Sequence, residues 1–241
     1  ALWTRDRIGP ALFADAHRDL DPVRMANVYV SADQGRSWTR RGGVAFPQTD
    51  FDEHMIVELR DGRLWMLART TYGIGESFSS DQGRTWSEPK PSTIENPSAR
   101  FFIRRLASGR LLLVKNGPVD KRLPRRSHMT AFLSDDDGRT WRGGLLLEER
   151  AACSYPDGFQ APDGLIHILY DWNRHSDAEI LMAKFREEDV LAGRFQSADF
   201  GLRKATGYAA IGFEPSCEFG LSEIELGRVH LHLHCQCRRI V

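Results

Sequence analysis

Ser79-Ser-Asp-Gln-Gly-Arg-Thr-Trp86 is written nearly three times in this chain. The other copies are Ser31-Ala-Asp-Gln-Gly-Arg-Ser-Trp38 and Ser134-Asp-Asp-Asp-Gly-Arg-Thr-Trp141. Each residue of the box suits a tight turn. Asp accepts hydrogen bonds from backbone N–H groups further along the turn. Gly supplies a position with φ above zero. The Ser or Thr hydroxyl satisfies another turn group, and Trp buries a large surface. The box therefore reads as a staple between two strands, and its Asp residues as structural.

The boxes begin at Ser31, Ser79 and Ser134, so the spacings are 48 and 55 residues. A second pattern runs out of phase with them: Asp61-Gly-Arg-Leu-Trp-Met-Leu-Ala-Arg69, Ser108-Gly-Arg-Leu-Leu-Leu-Val-Lys-Asn116 and Asp163-Gly-Leu-Ile-His-Ile-Leu-Tyr-Asp171. Each is a turn followed by a short apolar strand. A unit of about 40–50 residues holding several strands has the size of a four-stranded propeller blade.

The bulk numbers exclude some classes. The 241 residues contain 33 Lys plus Arg and 33 Asp plus Glu, so no excess of positive charge points to nucleic acid as a partner. No apolar run approaches the ~18 residues of a membrane span. Four cysteines, Cys153, Cys217, Cys235 and Cys237, do not make a disulfide framework in a chain of this size. No signal peptide is visible, and the compartment is not readable from the first residues.

The boxes resemble the Asp boxes, or bacterial neuraminidase repeats, of the sialidase superfamily. That resemblance implies an all-β, six-bladed β-propeller, with about four blades represented here. It also implies an activity: retaining exo-glycosidase chemistry like that of an exo-α-sialidase, on a glycan ending in sialic acid or a related acidic sugar, with no cofactor. Such a substrate carries a carboxylate on its anomeric carbon, which would repel a carboxylate nucleophile, and these enzymes use Tyr instead. Tyr is a poor nucleophile while its pKa is near ~10, so a neighbouring Glu takes its proton. Arginines hold the substrate carboxylate through paired, charge-assisted hydrogen bonds.

Three stretches match the family in its chain order. Asp52-Glu-His-Met-Ile-Val-Glu-Leu-Arg-Asp-Gly-Arg-Leu-Trp-Met-Leu-Ala-Arg69 resembles the segment with the activating Glu and an arginine of the triad, which fall on Glu53 and Arg69. Alternation puts Leu64, Met66 and Ala68 on one face of a strand, and Trp65, Leu67 and Arg69 on the other. Arg125-Arg-Ser-His-Met-Thr130 resembles the run before a box that carries a second triad arginine, placing it on Arg126, with His128 where Asn is usual. Cys153-Ser-Tyr-Pro-Asp-Gly158 resembles the nucleophile segment and puts the nucleophile on Tyr155; Pro156 replaces Ser, and at the end of the following strand Asp171 replaces Glu.

Other groups are open. Arg100, Arg104 and Arg105 form a basic cluster that either lines a sugar pocket or faces solvent. Trp172, Asn173, Arg174 and His175 follow the Tyr155 strand and are unranked. The family's first triad arginine and its acid/base Asp find no counterpart; Arg7-Ile-Gly-Pro10 is a near match to Arg-Ile-Pro. The chain alone is therefore expected to be weak or inactive. Asp50 and Asp52 neighbour Glu53 but are not assigned as the acid.

The propeller is expected to occupy residues 1–200, with a partial first blade. Ile180–Phe185 reads as a last strand and Glu187–Gly193 as a short helix with a Gly stop. Residues 201–241 form a C-terminal segment of different character, in which His230, His232 and His234 alternate beside Cys235 and Cys237 without matching a metal motif. The alternative functions are a non-catalytic carbohydrate-binding propeller and a propeller enzyme acting on another anionic glycan.

Overall fold

The computed structural model describes residues 24–49, 53–117 and 126–196, and the backbone of 201–204. These residues belong to one compact unit, Ala1–Thr206. Among them, β1 (Ala26–Val30) and β2 (Thr39–Val44) form an antiparallel pair. Three four-stranded meanders follow. The first is β3 (His54–Glu58), β4 (Leu64–Thr70), β5 (Gly73–Ser79) and β6 (Lys90–Pro91). The second is β7 (Phe102–Arg105), β8 (Leu111–Lys115), β9 (Met129–Ser134) and β10 (Arg142–Glu148). The third is β11 (Cys153–Gln160), β12 (Ile166–Trp172), β13 (Glu179–Phe185) and β14 (Gly201–Lys204). The chain is all-β, and its four sheets are successive blades of a sialidase-like β-propeller. Among the described residues the sheets do not close into a ring.

In the second and third blades the boxes sit between the third and fourth strands, and the first box joins β1 to β2. In the second blade the Ser79 hydroxyl donates to Asp81 Oδ1 at 2.8 Å and accepts the Gly83 amide at 2.8 Å. Asp81 accepts the Thr85 amide at 2.9 Å and the Thr85 hydroxyl at 2.6 Å, and the Trp86 indole donates to the Gly83 carbonyl at 3.1 Å. Ser31, Asp33 and Ser37 repeat this net, as do Ser134, Asp136 and Thr140. The glycines have φ of 89°, 86° and 83°. These bonds depress the carboxyls of Asp33 and Asp136 to about 2, chiefly through the Ser37 and Thr140 hydroxyls.

Alternation along the middle strands makes the core. Met66 and Ala68 of β4 pack with Ala26, Val28, Val44 and Phe46 of the first blade. Trp65 and Leu67, on the other face, pack with Phe101, Ile103, Leu111 and Leu113 of the third. Leu112 and Val114 of β8 turn to Ile166, Ile168 and Tyr170 of the fourth. β4 and β8 are thus apolar on both faces because each face meets a neighbouring blade, whereas β12 buries one face only. The tryptophans follow the same order: Trp86 lies on the layer shared by the first and second blades, and Trp141 on that shared by the second and third.

The fourth blade departs from the sequence reading. The segment expected to end the sheet, Ile180–Phe185, is third in its blade, and β14 pairs beyond it. No box separates them. Helix α1 (Glu187–Ala192) takes its place, started by Asp189 accepting the Arg186 amide at 2.8 Å and stopped by Gly193 in the left-handed region. Arg7, Asp50, Asp52, Arg125 and the cluster His230, His232, His234, Cys235 and Cys237 lie outside the described residues.

Candidate active site

The β3–β4 hairpin brings Glu53 and Arg69 opposite one another, one step beyond the pair His54–Ala68. The Arg69 amide donates to the Glu53 carbonyl at 2.8 Å. Across such a pair the side chains meet, and the Arg69 guanidinium donates to Glu53 Oε2 at 3.0 Å. The pair is withdrawn from water, with side chains 4% and 13% exposed.

Glu53 is also the point where two blades meet. The Tyr155 hydroxyl, from β11, donates to Glu53 Oε1 at 2.6 Å. Tyr155 reaches it because β11 is not a regular strand. Its register to β12 shifts between Ser154 and Asp157, and Tyr155 has φ of 53°. Such a bulge re-aims a side chain that plain alternation would send elsewhere. Burial raises the Tyr155 pKa, and the bond to Glu53 and its charge raise it further; Arg69 and Arg174 act the other way.

Arg126 stands in the same neighbourhood. Its carbonyl accepts the Cys153 amide at 3.1 Å, two residues before Tyr155. Buried Asn116, at the end of β8, donates to the carbonyls of Ser127 and Cys153 at 3.3 Å each, tying this segment to β11. Burial lowers the Arg126 pKa, the charges of Arg69 and Arg174 lower it further, and Tyr155 and Asp171 oppose them. A half-buried cation among cations is a place that favours a bound anion. His128 has φ of 53°, a conformation in which Asn, Asp and His are the enriched side-chain-bearing residues. This explains how His stands where the family pattern has Asn.

Of the four residues after β12, Arg174 joins the site. Its guanidinium lies 4.3 Å from the Tyr155 ring centroid, donates to Ser154 Oγ at 2.9 Å and pairs with Asp171. Ser154 in turn donates to Asp171 Oδ1 at 2.6 Å. Trp172 instead stacks with Arg150 at 4.0 Å and donates to the Ala151 carbonyl, while Asn173 bonds Asp177 within its turn, and His175 is exposed. In the other basic cluster, Arg100 lies 5.9 Å from the Tyr155 ring centroid and 3.8 Å from Asp157. Arg104 is exposed. Arg105 is a strut between blades, bonding the Glu58 carbonyl and Asp137 at 2.7 Å each.

The residues brought together are therefore Tyr155, Glu53, Arg69 and Arg126, joined by Arg174, Asp171, Ser154 and Asn116. Three of these end the turn-and-strand repeats: Arg69, Asn116 and Asp171 are the last residues of the three aligned stretches. That shared position is the signal that could have found Asn116; Asp171 already stands out in the sequence as the residue in place of Glu. Among the described residues, no group of three or more His, Cys, Asp or Glu side chains could hold a metal ion, and no helix is long and apolar enough to cross a membrane.

The family model of the BNR repeat-like domain matches residues 12–168. The chain belongs to that family. A relative, a sialidase of Micromonospora viridifaciens, is 30% identical over 156 residues, covering 58% of this chain and 23% of the relative. The chain thus spans about a quarter of that relative's length. The leech intramolecular trans-sialidase structure superposes with a TM-score of 0.51 at 21% identity, over 68% of this chain and 28% of that one. A mutant of the NanB sialidase from Streptococcus pneumoniae gives 0.49 at 22% identity, over 64% and 25%. The BNR-repeat blades seen here thus have the sialidase-like propeller fold.

Proposed function

We propose that this chain carries the nucleophile half of a retaining exo-glycosidase that resembles exo-α-sialidase and removes a terminal sialic acid or related acidic sugar. The observation that carries the reading is the 2.6 Å hydrogen bond from the Tyr155 hydroxyl to Glu53, with Arg69 on the other oxygen of the same carboxylate. Tyr155 keeps its proton in the resting site, since burial and Glu53 both disfavour the phenolate. A base in contact is what such a phenol needs. As the Tyr155 oxygen attacks the anomeric carbon, its proton passes to Glu53 Oε1 and the bond to the leaving oxygen breaks. Water then attacks the same carbon and displaces the Tyr155 oxygen, which takes its proton back from Glu53 Oε1, while the attacking water gives up a proton to solvent, where the departed oxygen of the first step gains one; the configuration is retained. Arg69 and Arg126 hold the sugar carboxylate, a role suited to planar, always-charged guanidinium groups.

The test uses an aryl glycoside of sialic acid, whose leaving group departs without a proton and so does not call on the unassigned acid. Release of the phenol, lost in Tyr155→Phe, together with a fluorinated sialosyl adduct on Tyr155 in mass spectrometry, is the expected result. Binding of the sugar without turnover or adduct would replace the reading with that of a carbohydrate-binding propeller.

A further inference from the structure

The Tyr155–Glu53 contact accounts for where the phenol proton goes. It does not account for the charge left on the ring once the proton has gone. Glu53 becomes neutral at that moment, and the phenolate sits in a half-buried place, where an uncompensated charge is costly. The charged groups around Tyr155 come from every element that meets there: Glu53 and Arg69 from the β3–β4 pair, Arg100 ahead of β7, Arg126 ahead of β9, Asp157 from β11, Asp171 from β12 and Arg174 from the turn after it. Among these described residues, Arg174 lies closer to the ring than Arg100 and is itself hydrogen-bonded to Ser154 and paired with Asp171. It lies 4.3 Å from the ring centroid, within the range in which a guanidinium and an aromatic face attract. Its guanidinium is held by Asp171 and by Ser154 Oγ, and those two are bonded to each other.

We propose that Arg174 is a positioning residue of this site. Held by Asp171 and Ser154 against the ring of Tyr155, its guanidinium keeps the phenol directed at Glu53 and stabilises the phenolate as the proton passes to Glu53 Oε1. This rests on the reading of Tyr155 as the nucleophile and adds a group to it. It also gives a role to Asp171, a departure from the family pattern, whose carboxylate anchors the arginine. The stacked cation favours the ionised ring both when the sugar–tyrosine bond forms and when the ring oxygen leaves again.

The experiment replaces Tyr155 by 3,5-difluorotyrosine, whose phenol titrates at a lower pH than tyrosine, and reads its ionisation by fluorine NMR. No turnover is needed. Arg174→Gln is expected to raise this titration by about one pH unit, the size of a lost neighbouring cation. The double variant Asp171→Asn with Arg174→Gln separates loss of the cation from exposure of the Asp171 charge, and is expected to keep most of the rise. Arg174→Lys, which retains the charge, is expected to restore much of the original value. An unchanged titration in both Gln variants would overturn the proposal and reduce Arg174 to surface packing. Failure of the glycosidase reading looks different: the shift would be present, but no adduct would form on Tyr155.

Discussion

Arg69 faces Glu53 across the β3–β4 ladder and bonds it twice, amide to carbonyl at 2.8 Å and guanidinium to carboxylate at 3.0 Å. Removing the carboxylate leaves the buried arginine without that counter-charge. Glu53→Gln is expected to cost about 3 kcal/mol of folding stability, read as a lower midpoint in urea. Adding Arg69→Met should return much of it, because the two changes remove one shared interaction and do not add. Both variants should lose turnover of the aryl glycoside, so stability and activity part company in the double variant.

The third box tests a close approach. A Cβ at Gly138 would lie 2.5 Å from the Trp65 ring of the preceding blade, and Gly138 has φ of 83°. Gly138→Ala therefore meets both a backbone penalty and an overpacked contact, expected together to cost about 2–4 kcal/mol. Gly62→Ala shares the positive φ of 82° but has open space around it, and should cost only the backbone part, about 1–2 kcal/mol. Equal losses in thermal denaturation would show that the Trp65 contact does not matter.

Acid should loosen the boxes in a defined window. Asp33 and Asp136 titrate at about 2 in the folded chain against the usual 3.8. The folded state binds their protons more weakly than the unfolded state. Their contribution is therefore complete above about pH 4 and falls away as pH drops towards 2. Thr140→Val, which removes the hydroxyl on Asp136, should make the melting temperature less sensitive to pH across that window.

At His128 the left-handed backbone sets the choice of residue. His128→Asn should be tolerated with no loss of melting temperature. His128→Val, with a branched Cβ at positive φ, should cost about 1–3 kcal/mol and, by shifting the segment after Arg126, weaken binding of an acidic sugar.

The parts of the fold legible in the sequence were those with a period. The boxes announced their own hydrogen bonds, and the alternation of Met66 and Ala68 against Trp65 and Leu67 gave the two faces that meet different blades. Glu53 and Arg69 were legible through resemblance, and their contact follows from hairpin register. What stayed hidden breaks the period. The bulge at Tyr155 swings a side chain that alternation would misplace. Arg174 depends on the shape of a turn, which no repeat encodes. The outermost strand of the fourth blade was missed because α1 stands where a box would have marked the corner.

Two of the box tryptophans point backwards along the chain, while Trp38 of the first box is exposed among the described residues. Trp86 lies on the layer its blade shares with the one before, and so does Trp141. On a ribosome, where the N-terminal part emerges first, each of these rings leaves the exit tunnel after the sheet it settles on. A newly made blade is thus latched onto a finished one and does not wait, with its box open, for sequence still to be translated.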